Sequence, residues 1–235
     1  MPKIKETSDK PVRFAFDTHH HGDHAYGNQL WADAGATIVA HTGVAEEMNA
    51  KEPARWNDSA RTRPDVAESK LKAPTLLFPD RLIFNQGARR VELRHFGVGH
   101  TKGDAFVWLP QEKILFTGDA CVNGAYNYLG DATVSEWIKT LERVKELGAE
   151  VVCPGHGPRG GPEIIADQQA YFQELWRRVQ GLKAAGNSPA EAKAALPAVA
   201  AEMKKIRNIA RYVPGSLNQH GETVWRELGG EPFPR

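Results

Sequence analysis

The chain has 235 residues, 41% hydrophobic and 25% charged, the profile of a soluble globular protein long enough to bury a sizeable core. Its formal net charge of +1 supplies no global field to recruit nucleic acid or an anionic membrane surface. No apolar run approaches the ~20 residues of a membrane span, and the opening MPKIKETSDK has no signal-peptide core, so a cytoplasmic protein is expected, or a periplasmic one whose parent chain has lost its leader.

Val12–Asp17 alternates and is rich in β-formers, which predicts a strand running straight into THHHGDH. AYGNQLWADAG then predicts a helix stopped by Gly35, and Thr37–His41 a second strand, together a strand–helix–strand unit. Glu46 to Lys70 is polar and carries Pro53 and Pro64, so a helix end followed by a long surface loop is expected. Short strands are expected at Thr75–Phe78, Arg81–Phe84, Arg89–Phe96, Ala105–Leu109 and Lys113–Gly118, with the character of an antiparallel meander. In Ser135–Gly148, Trp137, Ile138, Leu141, Val144 and Leu147 recur at helical spacing, with Ser135 placed to cap the start and Gly148 to stop the end. EVVCPGHG reads as a strand entering a loop.

From Glu163 the pattern is helical, and Gly181 and Gly186–Pro189 are expected to break it. Tyr171, Phe172, Leu175, Trp176 and Val179 form one apolar stripe that must be buried against something. A single domain over residues 1–235 is expected, with a core at 12–160 and a helical extension at 163–235 that packs on it and covers part of the site's rim. Cys121 and Cys153 are too few for a disulfide framework.

Four stretches carry the chemistry. In His19-His20-His21-Gly22-Asp23-His24, alternate residues of an extended segment share a side, so His19 and His21 can grip one ion while His20 points away. Asp23 and His24 continue around the turn and can address a second ion. His100 in GVGHTKGD, Asp119 after KILFTG and His156 in PGHG each follow a predicted strand and are flanked by glycines, which suit tight turns. Imidazole and carboxylate are donors that Zn²⁺ accepts. His41, His95 and His220 stand alone and read as structural or surface residues, with His95 a candidate for orienting a ligand.

The HxHxDH run, GHTxGD, FTGD and PGHG, in this order, resemble the metal motifs of the metallo-β-lactamase superfamily over roughly residues 12–160. The resemblance implies an α/β (α+β) fold, the αββα sandwich with mixed sheets, here short at its N-terminus and extended by a helical tail. It implies two zinc ions per chain, one held by His19, His21 and His100, the other by Asp23, His24 and His156, with Asp119 bridging; iron and manganese are further candidates. A metal-bridging hydroxide would then attack the substrate, with Asp23 accepting a hydrogen bond from it. Asp119 stands where the β-lactamases with a cysteine ligand have that cysteine, so the chain looks more like the glyoxalase II and lactonase branches.

The expected activity is zinc-dependent hydrolysis of a small lactone, thioester or β-lactam. The alternatives are a mononuclear iron sulfur-compound dioxygenase using His19, His100 and Asp119, and a phosphodiester or nucleic-acid hydrolase, for which Arg55–Arg63 offers some basic and aromatic character but reads more readily as a solvated loop. Asn123, Tyr126, Asn127 and Tyr128, just after Asp119, are candidates for a substrate wall. No nucleic-acid or membrane partner is expected. Only 18 residues precede His19, fewer than the resemblance implies, so open sheet edges and a homodimer are expected.

Overall fold

Parallel strands cannot be joined by a hairpin and need a crossover, and the segment after the first strand provides one. In the computed structural model, which describes residues 2–87 and 89–234, Phe14–Asp17 (β1) lies parallel to Thr37–His41 (β2), with Phe14 opposite Thr37 and Asp17 opposite Ala40. The crossover is two short helices, Gly22–Ala25 (α2) and Asn28–Asp33 (α3), preceded in the chain by a single helical turn at Pro2–Lys5 (α1). Leu76–Phe78 (β3) joins β2 in parallel, so the sheet order is β1-β2-β3. The sequence places this strand in the meander, but its pairing partner is β2.

The region expected to be a long loop is mostly helix: Thr42–Ala60 (α4) runs for 19 residues, followed by Pro64–Ala67 (α5). Pro53 lies inside α4 and removes one backbone bond. The helix continues because Val44, Ala45 and Met48 are buried along it, together with the carboxylates Glu47 and Glu52. His41 starts it: Nδ1 accepts from the Gly43 N–H at 3.1 Å, and Nε2 donates to the Pro79 carbonyl at 2.9 Å. These elements form one compact unit, which ends at Pro79; a second begins at Asp80.

The second unit is built on Arg81–Gln86 (β4), Arg89–Arg94 (β5), Phe106–Leu109 (β6), Ile114–Gly118 (β7) and Val151–Pro154 (β8), paired in that order. The first four strands are antiparallel, and β8 lies parallel to β7, so Val134–Lys145 (α6) is the required crossover. Glu163–Ala184 (α7), Pro189–Met203 (α8), a 3₁₀ turn at Ala210–Tyr212 and Asn218–Glu227 (α9) complete the unit. Its core joins Phe106 and Leu115 of the sheet to Trp137 and Leu141 of α6 and to Tyr171, Phe172 and Leu175 of α7, all fully buried. Each such side chain contributes ~1.5–3 kcal/mol.

Two expectations for the helices are corrected. α7 runs straight through Gly181; a helical glycine costs ~1 kcal/mol, less than the buried stripe returns. Ser135 does not cap α6. The Glu227 carboxylate of α9 accepts from the Val134 and Ser135 N–H groups instead, at 2.5 and 3.0 Å. The GNSP break is where expected, with Ser188 and Glu191 forming a reciprocal capping box at the start of α8.

Candidate metal centre

In the first unit β1 ends on Asp17, a buried carboxylate that accepts from the Asn28 amide at 2.7 Å. Burial pushes it up to about 7, against the lowering effects of Asn28 and His24. The chain then turns through His19, His20 and His21 into α2. At Gly22 a Cβ would meet the Tyr26 ring, which would have to shift. The His19 ring centroid lies 4.8 Å from that of His21 and 4.2 Å from that of His24, and His24 Nε2 is 3.3 Å from Asp23 Oδ2. This unit therefore brings together His19, His21, Asp23 and His24. Imidazoles and a carboxylate gathered in one turn are a donor set that a divalent cation can share.

His20 turns to the other side and is fully buried. Its Nδ1 lies 3.1 Å from Glu47 Oε2, and its Nε2 lies 3.3 Å from Arg55 Nη1 and 3.7 Å from Glu52 Oε1. Burial alone would raise the Glu47 carboxyl, but hydrogen bonds from His20 and Lys51 outweigh it and lower the group to about 2. Tyr26 donates to Glu52 Oε2 at 2.7 Å. The central histidine of the run thus anchors the ligand turn to α4. These anchors lie in the segment expected to be a helix end followed by a long surface loop, where isolated glutamates carry no spacing signal.

In the second unit His100 sits in a turn held by Asp104. The Thr101 N–H donates to both Asp104 carboxylate oxygens at 3.1 Å, and the Thr101 hydroxyl to Oδ1 at 2.6 Å. His100 Nδ1 is 3.0 Å from the Tyr128 carbonyl oxygen. Since a carbonyl only accepts, Nδ1 carries the proton and Nε2 the lone pair. Asp119 follows β7 directly, and its Oδ2 lies 3.2 Å from His156 Nε2 and 3.8 Å from His100 Nε2. At Gly155 a Cβ would fall onto Asp119 Oδ1, so the glycine beside His156 keeps the carboxylate in place. This unit brings together His100, Asp119 and His156. The seven donors are imidazoles and carboxylates, a set that suits borderline divalent ions such as zinc.

Asn123 binds the His156 loop, its N–H donating to the His156 carbonyl and its side-chain amide to the Pro158 carbonyl, each at 2.8 Å. Tyr126 is 55% exposed with its ring centroid 5.8 Å from that of His156, and Tyr128 is 43% exposed and 6.4 Å from His100. Asn127, between them, is buried. His220 is structural: it is 3% exposed and hydrogen bonded through both ring nitrogens. His95 donates from Nδ1 to the Asp104 carbonyl at 2.8 Å. Burial raises the Cys121 thiol and keeps it protonated. Gln168 of α7, unremarked in the sequence, binds the Ala120 carbonyl and the Val122 N–H at 2.8 Å each, so it grips the chain just after Asp119. Among the described residues no helix is long and apolar enough to cross a membrane.

A sequence model described as the metallo-beta-lactamase superfamily matches residues 2–156. The chain is 37% identical over 107 residues to a type 2 metallo-β-lactamase of Bacteroides fragilis, a match covering 43% of each chain. It is 29% identical over 179 residues to the human acyl-coenzyme A thioesterase MBLAC2, covering 69% of this chain and 62% of the human protein. The chain therefore spans about half the length of the curated relatives it matches. Among solved structures, a metallo-β-lactamase from Pontibacter korlensis superposes with a TM-score of 0.59 at 25% identity, over 74% of both chains.

Proposed function

The chain belongs to the metallo-β-lactamase superfamily, and on that premise we propose that it is a hydrolase dependent on two zinc ions that cleaves a small thioester, lactone or β-lactam. The observation that carries this reading is the position of Asp119 Oδ2, within 3.2 Å of His156 Nε2 and 3.8 Å of His100 Nε2. The family motifs assign those imidazoles to different ions, and one carboxylate oxygen near both suits a bridging ligand. His19 and His24, also assigned to different ions, have rings 4.2 Å apart.

In this reading His19, His21 and His100 hold one ion, Asp23, His24 and His156 the other, and Asp119 both. Two zinc ions held there would supply Lewis acidity, acidifying water toward ~7 and polarising the substrate's carbonyl oxygen. The residues do the rest. Asp23 is exposed, and its carboxylate accepts a hydrogen bond from the attacking water and orients it. Tyr126 and Tyr128 present phenol rings beside two ligands and wall the substrate, with Asn127 between them. Asn123 acts on the wall by fixing the His156 loop. No nucleophilic serine or cysteine is needed, which agrees with the buried, protonated Cys121.

Thioesters stand first in the substrate class. The thioesterase likeness extends over 69% of the chain, the β-lactamase likeness over 43%, and an aspartate stands at position 119 where a cysteine ligand would mark a β-lactamase. A hydrolysis panel of acyl thioesters, lactones, β-lactams and phosphodiesters on zinc-loaded protein tests this. Thioesters or lactones are expected to turn over fastest. Turnover of none, or oxygen uptake by protein holding one iron, would reject the hydrolase. For assembly we propose a two-fold homodimer, supported by the exposed Leu30, Leu76 and Leu77 and by β1 having, among the described residues, only β2 beside it. A stable monomer in light scattering at micromolar concentration would contradict it.

A further inference from the structure

The segment after Asp119 is gripped from the carboxy-terminal helix α9, which lies beyond the stretch matched by the family model. Three residues of α9 are involved. His220 Nε2 is 2.9 Å from the Asn127 carbonyl oxygen. The Leu129 N–H donates to Gln219 Oε1 at 3.2 Å, and the Thr223 hydroxyl donates to the Leu129 carbonyl at 3.2 Å. Between these clamps the Tyr128 carbonyl accepts from His100 Nδ1 at 3.0 Å.

We propose that His220, with Gln219 and Thr223 beside it, is a positioning residue for the metal centre, fixing segment 127–129 so that the Tyr128 carbonyl holds the His100 ring in one tautomer and one orientation. The proposal rests on the reading that His100 is a metal ligand. Proton accounting makes the relay one-directional. A carbonyl only accepts, so His220 Nε2 carries the proton, and its Nδ1 accepts from the Tyr171 hydroxyl at 2.6 Å. Burial supports this neutral form, lowering His220 to about 4. Likewise His100 Nδ1–H donates to Tyr128, which leaves the Nε2 lone pair on the side of Asp119.

A ligating histidine is oriented by the partner of its other ring nitrogen. Here that partner is a backbone carbonyl, and it is only as fixed as its loop. The loop runs between Gly124, at φ +140°, and Gly130, so its own sequence does little to fix it, and α9 supplies the rigidity. Tyr171, fully buried on α7, in turn holds His220.

The test is zinc affinity by competition with a chromophoric chelator, together with the ligand-field spectrum of the Co²⁺ protein, for wild type, His220→Phe, His220→Gln, Gln219→Ala and a His100→Ala control. His220→Phe keeps the volume but loses the donor, and zinc affinity is expected to fall ~10–100-fold with an altered Co²⁺ spectrum. His220→Gln retains an N–H donor and is expected to recover most of the loss. Gln219→Ala removes one exposed clamp without disturbing the core, and a smaller loss in the same direction is expected. Wild-type affinity and spectrum in His220→Phe, alongside a loss in His100→Ala, would overturn the proposal and leave the metal reading standing. Undiminished binding in His100→Ala would overturn both. If circular dichroism shows that His220→Phe does not fold, Gln219→Ala and Thr223→Val decide, and unchanged affinity in both overturns the proposal.

Discussion

His220 is neutral in the fold because burial disfavours the imidazolium, and its partners, a phenol and a carbonyl, do not restore the charge. Its folded-state value of about 4 lies below the unfolded 6.5. The unfolded chain therefore binds more protons between those values, and stability rises with pH across that window. The contribution is fully present above pH 6.5 and is lost as pH falls to about 4. Denaturant melts of the metal-free protein from pH 4 to 7.5 are expected to show this acid limb, on the order of 3 kcal/mol, and His220→Gln is expected to flatten it. An unchanged slope in the variant would assign the limb to other groups. The sequence could not single out this histidine, because one imidazole in a helical tail has no spacing partner. The seven candidate ligands were legible for the opposite reason. They come in short donor-rich runs flanked by glycines, and Gly22 and Gly155 are the positions where a Cβ would collide with Tyr26 and Asp119.

At the scale of elements, hydrophobic period identified the strands and most helices, whereas long-range polar partners went unseen. The start of α6 is one such case: Glu227, 92 residues beyond Ser135, supplies the carboxylate for its first N–H groups. Negative charge at a helix N-terminus offsets the macrodipole and satisfies otherwise orphaned donors. Glu227→Ala is expected to cost about 1 kcal/mol, a fall in Tm of ~2–4 °C for a chain of this size, with little change when Ser135 is replaced by alanine. A larger loss at Ser135 than at Glu227 would restore the local cap. Helix α4 was hidden for a related reason. Its polar face includes Glu47 and Glu52, which are buried against His20 and Arg55, so polarity there marks a buried network and not a surface loop.

For the whole molecule, the central claim is the proposed dinuclear centre. The order of motifs along the chain was enough to read the family, because that order survives differences in the loops between them. Substrate and assembly were not readable, since they depend on surfaces that ligand spacing does not constrain. The claim is tested most directly by elemental analysis of zinc in protein dialysed against excess ion, for wild type and for Asp119→Ala. Two ions per chain are expected in wild type and one or none in a folded Asp119→Ala variant, with hydrolysis lost. One ion in wild type, retained at the same level when Asp23 and His24 are both replaced by alanine, would contradict it.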